Sequence, residues 1–192
     1  MSLSTIATSF ASITLRTERL LLRPLREADA HDLFAIFSDS RVSRYLSHPA
    51  WTDIGSAHEL IARNVAAVEA DKYVYLGMER VSDGRLIGEC SLFNLMPQCR
   101  RAEVGYTLAH EAWGNGYIGE ALTALLEFGF MQLALNRVEA DVDPRNVASA
   151  KTLERLGFQK EGLLRQRWIV GDEVSDSALY GLLAHEWKVK RG

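Results

Sequence analysis

The chain has 192 residues, 47% of them hydrophobic and 24% charged, which suits one globular domain with a sizeable core. A formal net charge of -3 without any basic run excludes a nucleic-acid binder, because displacing counterions needs clustered Lys and Arg. Cys90 and Cys99 are the only cysteines, too few for a disulfide framework or metal site, and no apolar stretch approaches the roughly 20 residues of a membrane span.

Residues 1–14 mix Ser and Thr with small apolar residues and carry no charge, which predicts a flexible arm ahead of one domain over 15–192. Arg19 to Leu25 is a short apolar run stopped by Pro24, hence a strand. A helix opens at Arg26-Glu27-Ala28-Asp29, with Leu33, Phe34, Ile36 and Phe37 on one face. Tyr45 to Asp53, holding Pro49 and Trp51, reads as a loop. Ile54 to Ala70 reads as a second amphipathic helix with Leu60, Ile61, Val65 and Val68 inward.

Strands Tyr73 to Arg80 and Arg85 to Asn94 follow, joined at Ser82-Asp83-Gly84, since Asp-Gly accepts positive φ cheaply. Ala102 to Leu108 is a further strand. The second half alternates: helix Tyr117 to Leu135, strand Arg137 to Val142, and helix Asn146 to Leu156 ended by Gly157. Leu163 to Val170 and Val174 to Leu183 form a last hairpin around Gly171-Asp172. Hairpins followed by strand-helix-strand-helix predict an α/β (α+β) domain, with one mixed sheet and helices on both faces.

The chemistry concentrates in Glu103-Val104-Gly105-Tyr106-Thr107-Leu108 and then Trp113-Gly114-Asn115-Gly116-Tyr117-Ile118-Gly119-Glu120-Ala121. A strand runs into a glycine-rich turn that starts a long helix. Glycines 114, 116 and 119 let the backbone curl and approach a ligand, and the first helical N–H groups have no internal partner. With the helix dipole they suit a phosphate without any lysine. A dinucleotide fingerprint fails on spacing, and a Walker loop fails because no Gly-Lys-Ser/Thr follows.

Three pieces in order resemble the GNAT acetyltransferase superfamily, in its RimJ/RimL-type branch. They are Trp113 to Tyr117 with Glu120-Ala121; Asn146-Val147-Ala148-Ser149 followed by Leu153 to Phe158; and Asp176 to Leu183. The resemblance runs from Thr17-Glu18-Arg19-Leu20 to His185-Glu186-Trp187. It implies a mostly antiparallel sheet splayed between its fourth and fifth strands, 102–108 and 137–142, with acetyl-CoA in the gap. The pantetheine arm would meet main-chain atoms of Tyr106, Thr107 and Leu108. The pyrophosphate would sit on the backbone of Gly114, Asn115, Gly116, Tyr117, Ile118 and Gly119. Asn146 would hold the arm from the other side, or cap its helix, or both.

The sequence departs from the superfamily at Trp113 and Ile118, and at Glu154, where many relatives carry a tyrosine acid. Ser149 therefore becomes the candidate partner of the departing thiolate, against a helix serine bonding its own backbone. Glu103 is the expected base that takes the ammonium proton, against a strand carboxylate paired with Arg100 or Arg101. The N–H near Leu108 is expected to steady the acyl oxygen. Tyr180 either approaches the acceptor or belongs to the core. The histidines lack metal spacing, and Cys90 lacks a base. The function implied is direct transfer of acetyl from acetyl-CoA to a primary amine, of a protein N-terminus or a small molecule, without a metal. A non-catalytic CoA-binding sensor of the same fold is the alternative. Tyr45 and Trp51 would wall the amine side or simply pack, the location is expected to be cytoplasmic, and a homodimer is compatible with this branch.

Overall fold

Strands β1 (Leu15–Arg16), β2 (Leu20–Arg23), β3 (Val74–Arg80), β4 (Leu86–Met96), β5 (Arg101–Leu108), β6 (Arg137–Val142), β7 (Gln159–Val170) and β8 (Glu173–Leu183) build one sheet. Their order is β1-β2-β3-β4-β5-β6-β8-β7 in the computed structural model, which describes residues 10–70 and 72–191. Every neighbouring pair is antiparallel except β5 and β6. That parallel pair is short. It joins Arg101 to Arg137, Ala102 to Val138 and Glu103 to Glu139, and then stops, so the strands part beyond Glu103. The expected split between 102–108 and 137–142 is therefore present, and Arg101 and Arg137 both pair with Glu139 at its closed end.

Helices α1 (Ala30–Ser38) and α3 (Gly55–Glu69) cover one face, where Phe37 and Leu60 share a cavity with Tyr75 and Glu89. Helices α4 (Tyr117–Met131) and α5 (Val147–Leu156) cover the other. A Cβ at Gly129 of α4 would lie 3.1 Å from Leu92, whose side chain points away from the Glu89 face because strand residues alternate. Leu76, Leu92, Leu122, Leu125 and Leu153 are wholly buried between these layers. The short α2 (Ser40–Ser43) follows α1, and α6 (Ala184–Arg191) closes the chain with the Trp187 indole donating to Glu127.

Several expectations need correction. Helix α4 stops at Met131 rather than Leu135, because Gln132 and Leu133 both return their N–H to Phe128 O and Ala134 takes φ +50°. On α3 it is Asn64, 4% exposed, that faces inward, while Val65 is 42% exposed; the side chain of Val68 lies outside the described residues. Strand β7 begins at Gln159 and carries two register shifts, which spoil a simple alternation. Residues 1–9 of the expected arm lie outside the described residues. Its remainder packs: Phe10–Ser12 makes a 3-10 turn and Ile13 is 5% exposed.

Candidate active site

The split leaves peptide groups of β5 without a strand partner. Ala109 N–H donates to Ile87 O, so antiparallel alternation turns the peptides of 103, 105 and 107 toward β4. Those of Tyr106 and Leu108 then face the gap, beyond the last rung at Glu103 and Glu139. Thr107 is thereby corrected: its carbonyl lies on the β4 side, only 2.3 Å from where a Gly88 Cβ would stand, and it offers the gap no main-chain contact. The Leu108 carbonyl is taken by the Trp113 indole N–H at 2.8 Å, leaving its own N–H toward the gap.

The glycine turn has the curl its sequence requires. Gly114 and Gly116 adopt φ +76° and +79°, and Gly116 is the N-terminal cap residue of α4. Nothing lies within 4 Å of a Cβ built at Gly114 or Gly119, so the concave side of the turn is open. Asn115 fixes the turn by donating to the carbonyls of Ala112 and Trp113, and its own carbonyl accepts from Arg19. Arg19 also lies over the Tyr117 ring and pairs with Glu120, while Ile118 packs against the core. The N–H groups of Gly114 to Gly119 thus fit a diphosphate. Gly116→Val should raise the dissociation constant for acetyl-CoA by about tenfold or more, through the left-handed strain as well as bulk. Gly119→Ala is free of that strain, so any loss there reports ligand approach; calorimetric titration of both variants checks this.

At the other side of the gap, Asn146 caps α5 by accepting the Ser149 N–H at 3.1 Å and also lines the cavity. Ser149 does not bond its own backbone through its hydroxyl. Its Oγ stands 2.7 Å from the Tyr106 hydroxyl, which sequence reasoning had valued only for its main chain. Burial pushes the Tyr106 phenol up to about 12, so it stays protonated and able to donate at neutral pH. Tyr180 is 4% exposed and sits by Glu154, away from the cavity, so of its two readings it is the core one that the structure shows.

A cavity of about 970 Å³ opens from the gap toward α1 and α3. Glu103 lines it and accepts from the Asn94 side chain at 3.1 Å; neither Arg100 nor Arg101 pairs with it, since Arg101 serves Glu139. Asn94 reaches back because it takes φ +48° at a β-bulge, a conformation asparagine tolerates. The opposite wall is aromatic: Trp51 stacks on Phe37 at 4.5 Å, and Tyr45 lies beneath Arg44. Cys90 is buried, its thiol pushed well up by desolvation, and among the described residues no group of His, Cys, Asp and Glu could hold a metal.

Sequence reasoning missed Glu89, a buried carboxyl in the same cavity, although a lone acid in an apolar strand was its available signal. Burial pushes it from 4.5 to about 7, with Thr107 and Tyr75 opposing only in part. The folded chain therefore keeps a proton there that the unfolded chain releases near 4.5. This contribution is complete below about pH 4.5 and is lost as pH rises to about 7, on the order of 3 kcal/mol. Glu89→Gln should accordingly gain in Tm over the parent as pH rises through that window, with no further gain above it; melting curves at several pH values measure it.

A model of the GNAT acetyltransferase domain matches residues 19–159. The chain belongs to the GNAT acetyltransferases. It is 38% identical over 176 residues to the uncharacterized N-acetyltransferase p20 of Bacillus licheniformis, covering 91% of this chain and 98% of that one. It is 26% identical over 187 residues to the ribosomal protein uS5-alanine N-acetyltransferase of Escherichia coli, covering 91% and 93%. Among solved structures, the spermidine N-acetyltransferase of Vibrio cholerae in complex with CoA and spermine superposes with a TM-score of 0.79. That likeness has 20% identity and covers 90% of this chain and 99% of that one. This GNAT protein is thus an acetyl-CoA-dependent N-acetyltransferase, whose other substrate is an amine. Among its described residues no helix is long and apolar enough to cross a membrane.

Proposed function

We propose that Glu103 and the Tyr106–Ser149 pair carry the transfer, with Glu103 and Tyr106 both supplied by β5 where it parts from β6 and Ser149 by α5. The observation that supports this reading is the 2.7 Å hydroxyl contact lining the same cavity as a carboxylate that, among the described residues, forms no ion pair. Acetyl-CoA supplies an acyl group already activated as a thioester. Gly114, Asn115, Gly116, Tyr117, Ile118 and Gly119 would hold its diphosphate, the peptides of Tyr106 and Leu108 its arm, and Asn146 the far side of that arm. Glu103 takes the proton of the acceptor's ammonium, so that nitrogen's lone pair can form the amide bond as the carbon–sulfur bond breaks. The Tyr106 phenol donates a hydrogen bond to the departing sulfur, which takes up the proton that the new amide nitrogen sheds, and Ser149 orients that phenol. The Leu108 N–H would steady the acyl oxygen, at roughly 3–4 kcal/mol for a preorganised donor.

Titration of acetyl-CoA into the protein, followed by thiol release on addition of primary amines, tests the reading. Absence of binding at millimolar ligand ends it. Binding without turnover on any amine assigns a CoA-dependent sensor instead. We read the chain as cytoplasmic, with neither nucleic acid nor membrane as partner. The apolar side chains exposed on β7, among them Leu163, Trp168 and Ile169, fit a second copy of the chain, and sedimentation reads that directly.

A further inference from the structure

The acceptor cavity contains a carboxyl that the transfer step leaves unused. Glu89 lies at the centre of the sheet, between Gly77 of β3 and Thr107 of β5, and is 6% exposed. The side chains of Tyr75 and Thr107 approach it, and Glu59 and Arg63 of α3 look into the same space. Among the described residues no Arg, Lys or His forms an ion pair with it. The cavity's other guanidinium groups are engaged elsewhere: Arg145 is held by Asp143 and Glu173, Arg167 stands by Asp141, and Arg44 lies over Tyr45. A carboxyl this deep without a cation is an interaction the fold leaves for something else to complete.

The same strand face carries the proposed base. Glu103 stands four residues before Thr107, the strand partner of Glu89, on the same side of the sheet. Four residues of strand span roughly 13 Å, less the reach of the two side chains. Between them Gly105 has no side chain, and the Phe93 ring covers it closely enough that a Cβ there would lie 3.2 Å from the ring. Read along the floor, the surface is carboxylate, aromatic ring, carboxyl.

We infer that the acceptor is a linear aliphatic diamine, its reacting nitrogen at Glu103, its alkyl chain over Phe93 and its distal ammonium on Glu89. The inference rests on the transferase reading above and deepens it by giving the acceptor a second positive charge. The separation suits a chain of about four to eight carbons between nitrogens. An ammonium beside Glu89 favours its ionised form and supplies the missing cation, so charge recognition and deprotonation of Glu89 occur together. Monoamines and peptide α-amines without a second charge leave that carboxyl unpaired.

Calorimetric titration of the CoA-bound protein near pH 8 with 1,6-diaminohexane and with 1-aminohexane reads the inference directly. The diamine should bind about tenfold or more tightly than the monoamine, and in Glu89→Gln that ratio should fall to within about threefold. A ratio within threefold in the parent, or one unchanged by Glu89→Gln, overturns the inference. So does a failure of the diamine to bind. The parent ratio needs no variant, so it stands even if the substitution disturbs folding. Acetyl-CoA titrated in the same series separates the two readings: its loss refutes the transferase, whereas its binding with a flat amine ratio refutes only the diamine.

Discussion

Glu103→Gln should lower kcat by about a hundred- to a thousandfold while the dissociation constant for acetyl-CoA stays within about twofold. The amide keeps the shape and the contact with Asn94 but cannot accept the ammonium proton. Only acceptor that is already neutral in solution then reacts. The residual rate of the variant should therefore climb about tenfold per pH unit until the amine itself titrates, near pH 10 for an aliphatic amine. The parent should reach its plateau earlier. Steady-state thiol release across pH measures both. A fall of less than about threefold, or one explained by weaker acetyl-CoA binding, would remove Glu103 from the chemistry.

Tyr106→Phe is the second large effect expected, about a thirty- to hundredfold loss in kcat with little change in acceptor affinity. The ring keeps its packing and loses only the hydroxyl that burial holds protonated, its pKa pushed up to about 12. A free thiol titrates near 8.5, so the departing thiolate benefits from a donor but does not strip this phenol outright. Ser149→Ala removes the partner 2.7 Å away and should cost less, because the phenol remains. The double variant should resemble Tyr106→Phe alone, since the two hydroxyls act as one unit. Multiplicative losses in kcat would show two independent contributions.

What the sequence disclosed follows the range of the interactions involved. Gly84, Gly157 and Gly171 sit at φ +70°, +101° and +59°, where turns and a helix end were expected, because those conformations depend on one or two residues. The glycine turn and the Asn146 cap are equally local. Features that depend on distant partners were invisible. The Tyr106 hydroxyl reaches a serine 43 positions away, and Glu89 owes its raised pKa to burial among elements distant in the chain. Asn94 serves Glu103 through a bulge that no alternation pattern announces. On α3 the helical period correctly found a buried face but placed Val65 on it instead of Asn64, whose Oδ1 accepts from Tyr73.

The short parallel pairing also affects how the domain holds together. Only three residue pairs join β5 to β6, so along the sheet itself the β6-β8-β7 portion meets the remainder through a few rungs and the Glu139 charge cluster, the shared core holding the rest of the seam. A ligand that bonds the peptides of Tyr106 and Leu108 acts as a surrogate strand, adding rungs where the ladder ends. Amide hydrogens at 106 and 108 should exchange quickly in the free protein and slow when acetyl-CoA is added, while those at 103, 105 and 107, bonded to β4, should change little. Its cosubstrate would then be a structural member of the sheet as well as a reactant, and the seam would fray first whenever that member departs.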